Sequence, residues 1–299
     1  MSENGQLFRK LFSGKYELPA LPAIYNEAIR LIENPYSTTD KLADLLIQDQ
    51  SIVSQIIRLC NSPLFAARQE IKTLGSAINY LGMNTIKEML LQISLVRTFP
   101  FDKQAVPDFD LTIFWEHSLG AAYLTEHIAD RLHLKRSDLQ YIGGLLHDIG
   151  KLLIYHVQPD LFSRIVTLQI EKGYDDLASE KEVLHLDHTE IGALLAEEWN
   201  FSPAVIEMIR YHHDERGRDQ SDICLVRMAN HFAKAAGLCF PWETREIPIT
   251  HDFAWDVLTG GLRKTIDVER MTFEIMDEAE KIKVTVQSML SRKGKQAKL

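Results

Sequence analysis

The sequence predicts an all-α protein: a helical N-terminal lobe packed with a second helical domain, followed by a C-terminal helical segment. Nearly every apolar periodicity in the 299 residues recurs at the three- to four-residue spacing of a helix face. No run alternates convincingly with the two-residue period of a strand. Prolines, glycines and hydroxyl or acidic residues punctuate these segments where helices would start and stop. Boundaries drawn from these signals put the first lobe at 1–105, the second domain at 106–240 and the last segment at 241–299.

The first lobe begins after "LPALP", where Pro19 and Pro22 give an extended entry to a helix. "STTD" at 37–40 resembles a capping box, and Leu42, Leu45, Leu46 and Asp49 follow at helical spacing. Ile52, Val53, Ile56, Ile57 and Cys60 share the next helix face, which "NSP" at 61–63 stops. Leu74, Ala77, Ile78 and Leu81 form a short helix closed by Gly82, and Asn84 or Thr85 starts another with Ile86, Met89, Leu90 and Ile93. This helix–glycine–helix outline is also that of a DNA-reading motif. Its second helix offers only Lys87 as a base-reaching cation, so two core helices joined by a glycine turn is the expectation. "FPFDKQAVPDFD" (99–110) reads as the connection between lobes. After "FPWETREIPIT" the chain ends in a long amphipathic helix with Met271, Ile275, Ala279, Ile282, Val286 and Met289 on one stripe, expected to pack on its own chain.

Composition narrows the class. A 45% hydrophobic and 25% charged chain is that of an ordinary globular protein, neither disordered nor fibrous. No apolar run suits a signal peptide or a membrane span. Cys60, Cys224 and Cys239 are odd in number and far apart, which fits reduced core residues of a cytoplasmic protein. A net charge of −9 argues against a nucleic-acid partner. The one basic run, "SRKGKQAKL", is short enough to be a solvated tail.

"LLHDIGK" (145–151) sets His147 and Asp148 on a helix that Leu145, Leu146, Ile149 and Leu152 make apolar almost all round. A carboxylate there is costly without a compensating cation or dense hydrogen bonding. His117 lies on a stripe with Ala121, Leu124 and Ile128; His188 with Leu184, Ile191 and Leu195; His212 follows Val205, Met208 and Ile209, with His213 beside it. One inward histidine is usually a satisfied core residue. Five on four helices, with a carboxylate able to bridge, suit a site for iron, manganese, zinc or nickel. His127, His133, His156, His185, His231 and His251 fit no common face and read as surface or locally bonded residues.

"LLHDIGK", preceded by His117 and followed by "DHTEIGALLAEEWNFSPAVIEMIRYHHD" (187–214), resembles the HD phosphohydrolase superfamily. "LPALP", "LIQDQSIVSQIIRLCNSPLF" and "AINYLGM" resemble its HDOD branch, the HD-related output domains of bacterial signal transduction. The likeness covers roughly residues 15–285 and implies an HD-like second domain. It further implies a first metal on His117, His147, Asp148 and a final acidic residue, and a second on Asp148, His188, His212 and His213. The final acidic position falls on Asn230, in "LVRMANHFAKAAG". The Gly-Tyr-Pro segment of cyclic-dinucleotide-cleaving relatives is absent, "HHD" running straight into "ERGRDQSD". An asparagine oxygen coordinates without neutralising, so cation–cation repulsion weakens the first site. A metal pair ordinarily makes the hydroxide nucleophile and clamps a phosphoryl oxygen. Asp148 and Lys151 are the residues through which any remaining catalysis would run, Lys151 either meeting a substrate phosphate or pairing with an acidic neighbour.

The leading expectation is a signalling or scaffold module with a retained metal site and little or no hydrolysis. The alternative is a metal-dependent phosphohydrolase or phosphodiesterase acting on a nucleotide or cyclic dinucleotide. No receiver, cyclase or kinase domain is legible in the chain, so the expected partners are signalling proteins or a small nucleotide, with neither DNA nor membrane.

Overall fold

The computed structural model describes residues 3–12, 18–65, 67, 69–100, 106, 108–243, 249–260 and 267–290. Among these the regular elements are helices and none is a strand, so the protein is all-α. None of the described helices is long and apolar enough to cross a membrane. Much of the 99–110 connection, residues 244–248 of "FPWETREIPIT" and the basic tail 291–299 lie outside the described residues. The chain divides into two compact units: residues 1–20 with 101–279, and residues 21–100 with 280–299.

The sequence pattern did not reveal the first helix, α1 (Glu3–Phe12), which belongs to the first unit. Phe8 and Phe12, one turn apart, are both buried. Asn4 donates to Glu190 at 2.6 Å, and Gln158 donates to the Leu11 carbonyl.

The second unit is built on α2 (Ala23–Glu33), α3 (Thr39–Leu46), α4 (Gln50–Cys60) and α5 (Leu74–Thr98). Pro22 is extended at the entry to α2. The cap of α3 is Thr38, whose hydroxyl accepts from Lys41 N–H; with lysine at that third position no side chain returns the bond, so "STTD" is half a capping box. Asp49 leaves the α3 stripe, because α3 ends at Leu46. It caps α4 through Ser51 and Ile52 N–H and pairs with Arg97 at 2.7 Å. Leu42, Leu46, Ile52, Ile56, Ile86, Leu90 and Ile93 fill the core. The kink in α5 is at Gly82, whose φ of 81° is a backbone state that glycine adopts without a Cβ clash.

The first unit continues with α6 (Leu111–Arg131), α7 (Asp138–Leu146), α8 (Ile149–Val157), α9 (Pro159–Lys172), α10 (Asp176–Leu184), α11 (His188–Glu198), α12 (Pro203–Tyr211), α13 (Ser221–Ala235) and α14 (Phe253–Thr259). α6 is buried nearly all round, packed by α7 and α13, while α8 and α12 pack on α11. His147 and Asp148 do not sit within one helix as the apolar pattern suggests. They form the break between α7 and α8, where Asp148 leaves helical geometry at φ −100°, ψ 11°. The apolar period continues across so short a break, which is why the sequence hides it. The last helix, α15 (Val268–Leu290), buries Met271, Ile275, Ala279, Ile282, Val286 and Met289 within the chain, and its residues are shared between the two units. The three cysteines are free thiols, Cys60 and Cys224 buried.

Candidate metal centre

His117 lies mid-way along α6, His147 and Asp148 fill the α7–α8 break, His188 opens α11, and His212 and His213 follow the end of α12. Local chemistry fixes these placements. Asp187 caps α11 by accepting from Thr189 and Glu190 N–H, and Glu190 accepts from Asp187 N–H, a complete capping box that orients His188. Gly150 lets the start of α8 lie directly on this turn, since a Cβ there would run into the His188 carbonyl. Ser202 caps α12, with Pro203 at its first position.

The Asp148 carboxylate is at the middle of the cluster. Its Oδ2 is 3.5 Å from Nε2 of both His117 and His147. Its Oδ1 is 3.2 Å from Nε2 of His188 and 3.8 Å from that of His212. The donor atoms form two groups, each within 4.8 Å: His117, His147 and Asp148, then Asp148, His188, His212 and His213. His117 and His147 approach to 3.1 Å between Nε2 atoms, and His188 and His212 to 3.4 Å. Asn230 is buried on α13, one turn before Lys234 and on the same helix face.

The outward ring nitrogens settle which inward ones are bare. His117 Nδ1 meets the Leu238 carbonyl at 2.7 Å, His147 Nδ1 that of Gly144 at 2.8 Å, and His212 Nδ1 that of Ile209 at 2.7 Å. A carbonyl only accepts, so each Nδ1 carries the proton and each Nε2 of the neutral ring presents a lone pair. Burial holds these rings neutral: it lowers His117, beside His147, to about 4, and pushes His147 and His212 down as well. Burial and the neighbouring imidazoles lower His213 in the same way. His188 differs. Burial opposes its protonation, but the Glu180 and Asp148 carboxylates outweigh it and raise the ring above its ordinary value. Glu180, itself pushed up by burial, accepts from both the His188 main-chain N–H and Nδ1, each at 2.7 Å.

This donor set fits a metal ion. Asp148 Oδ1 and His213 Nε2 are buried with no hydrogen-bond partner. Two lone pairs facing each other across 3.1 Å, as in His117 and His147, repel unless a metal ion or a shared proton lies between them. Ligands about 2.0–2.2 Å from a zinc-like ion lie roughly 3.0–3.6 Å from one another, which is the spacing of most of these donor pairs.

Lys151 is enclosed. Its ammonium is 2.9 Å from Asp148 Oδ2, 2.8 Å from Asp176 and 3.3 Å from Glu243. Burial opposes its charge, yet those three carboxylates hold its pKa well above normal. Asp148 is likewise held well below the carboxylate range, because Lys151 and the surrounding imidazoles outweigh its burial. Lys234 extends the network, 3.7 Å from Asp176. Among the ligand candidates His213 alone is incompletely buried; it lines a cavity of about 580 Å³ with Lys181, Asp187, Glu190, Arg210 and Asp214. His185, beside the true inward His188, is exposed at the left-handed end of α10.

Sequence reasoning missed Glu180, Asp176, Glu243 and Lys234. The only sequence signal for the two acids of α10 was their spacing, with Leu184, on one helix face.

Residues 18–215 match the HDOD domain family, and the chain belongs to that family. A crystal structure of an HDOD domain protein of unknown function from Geobacter sulfurreducens superposes with a TM-score of 0.81 at 27% identity, over 96% of this chain and 98% of that one. A provisionally named phosphohydrolase from Shewanella amazonensis SB2B shares the fold, with a TM-score of 0.72 at 24% identity over 97% and 99% of the two chains. An uncharacterized protein of Treponema pallidum is 26% identical over 202 residues, 66% of this chain and 38% of that protein. Ribonuclease Y of Pseudothermotoga lettingae is 28% identical over 166 residues, 55% of this chain and 24% of that enzyme. The chain thus spans well under half the length of either curated relative.

Proposed function

We propose that the protein is a bacterial signal-transduction or scaffold module of HDOD type whose metal centre ties its helices together and turns over phosphoesters weakly or not at all. The observation that carries the reading is the ring of inward Nε2 atoms around the Asp148 carboxylate, those of His117, His147 and His212 bare and nearly all of the ring buried. His117, His147, Asp148, His188, His212 and His213, with Asn230 as a neutral donor, would hold one or two divalent transition ions. An ion bound there supplies fixed positive charge and Lewis acidity toward a phosphoryl oxygen. The chain's own residues favour a tie over a catalyst. Lys151 is committed to three carboxylates, and the Asp148 side chain lies under it. Partners would be signalling proteins or a small nucleotide, with a cytoplasmic location.

Ion binding stabilises a folded state by mass action, about 2.7 kcal/mol at one hundred times the dissociation constant. Chelation should therefore lower the Tm, and elemental analysis of untagged protein should find at least about one transition ion per chain. Less than about a tenth of an equivalent after reconstitution would overturn the reading. The retention of both donor groups favours a second reading, a metal-dependent phosphohydrolase. Robust hydrolysis of bis-p-nitrophenyl phosphate or a cyclic dinucleotide by the wild type, lost in Asp148→Ala, would establish it instead.

A further inference from the structure

We infer that the two halves of the centre load unequally: an ion is held first and tightest by Asp148, His188, His212 and His213, with Glu180 positioning His188 and Lys151 competing for the other half. The inference rests on the metal-holding reading and extends it to the residues that govern occupancy.

The donors are unequal to begin with. The His188 half has three imidazoles and a carboxylate oxygen, whereas the other has His117, His147 and the second oxygen of Asp148. Charge separates the halves further. Three of the four rings with outward partners donate to backbone carbonyls, while His188 alone donates to a carboxylate. A carboxylate behind a ligating histidine fixes its ring and raises its basicity, and losing such a partner costs about 10- to 100-fold in metal affinity. Glu180 also holds the His188 main chain, so ring and backbone are set by one side chain.

On the opposite side, Asp148 Oδ2 is the oxygen that faces His117 and His147, and it already lies 2.9 Å from the Lys151 ammonium. A cation entering that half meets the lysine's charge at its one anionic donor. Oδ1, facing His188, has no hydrogen-bond partner. His213, in the His188 half, also lines the cavity of about 580 Å³.

The test is titration of the metal-free full chain with Co²⁺ alone, followed by calorimetry and by visible d–d absorption. In the wild type the first ion should bind at least about tenfold tighter than any second. His213→Gln should weaken the first step, whereas His117→Gln should spare it and remove the second. Glu180→Gln, close to isosteric, should weaken the first step about 10- to 100-fold and shift its absorption band. Lys151→Met should tighten the second step; should that variant fail to fold, the contrast between His117→Gln and His213→Gln decides alone. A single step kept in His117→Gln and lost in His213→Gln supports the inference. Equal steps, or a first step weakened as much by His117→Gln as by His213→Gln, overturn it and leave the metal-holding reading standing. A wild type that takes up no Co²⁺ overturns both.

Discussion

Position 230 joins a neutral side chain, a buried oxygen without a hydrogen-bond partner and a helix face that leads to Lys234. Asn230→Asp adds a charge at nearly constant volume. Without metal, that charge is buried and unpaired, at a cost of several kcal/mol, so the metal-free variant should melt below the metal-free wild type. With metal the gap should close, and bound ion should rise from about one toward two per chain. Hydrolysis of bis-p-nitrophenyl phosphate should appear or increase with it. Unchanged metal content would mean that residue 230 does not face the site. His156 makes a separate prediction. Burial lowers it to about 4, against 6.5 for the free side chain. The unfolded chain therefore takes up a proton that the folded one refuses as pH falls below 6.5. This depressed group contributes stability above pH 6.5 that is lost between 6.5 and 4. His156→Gln should flatten the fall of Tm with acidification over that window; an unchanged slope would remove His156 from the account.

At the scale of elements, the centre is assembled mainly from helix ends, and close packing of α8 on α11 keeps two of those ends together. Gly150 permits that contact, because a Cβ would meet the His188 carbonyl and the Gly192 amide, both backbone groups with little room to move. Gly150→Ala should destabilise the fold by about 1–3 kcal/mol, as overpacking does, and should weaken metal binding by shifting His188. Denaturant melts and a Co²⁺ titration would measure both; wild-type values in each would show that the helices can part freely. The inward histidines were legible from helical spacing, as was the glycine kink in α5. The break at His147 and Asp148 was not, since Leu145, Leu146, Ile149 and Leu152 keep the apolar period across it. Nor was α1, whose two buried phenylalanines gave too short a pattern.

For the whole molecule, the charge of −9 leads to the prediction that duplex DNA is not a target. Of the two cations that follow the kink in α5, Lys87 pairs with Glu33 at 3.2 Å and Arg97 with Asp49 at 2.7 Å. A gel-shift assay at physiological salt should find no sub-micromolar binding; tight binding with a steep salt dependence would refute this.

The sequence by itself determined the all-helical class, the HDOD resemblance and the identity of the imidazoles that turn inward. Those properties reside in local periodicity and short motifs, which are set within a few turns of chain. Only the tertiary structure decided how the two oxygens of Asp148 divide between His117 and His188, that Glu180 stands behind His188, and that Lys151 answers to Asp176 and Glu243 as well as Asp148. The physical reason is distance along the chain. Lys151 and Glu243 are 92 residues apart, and an acid on a helix face looks the same in sequence whether it meets water or a buried cation.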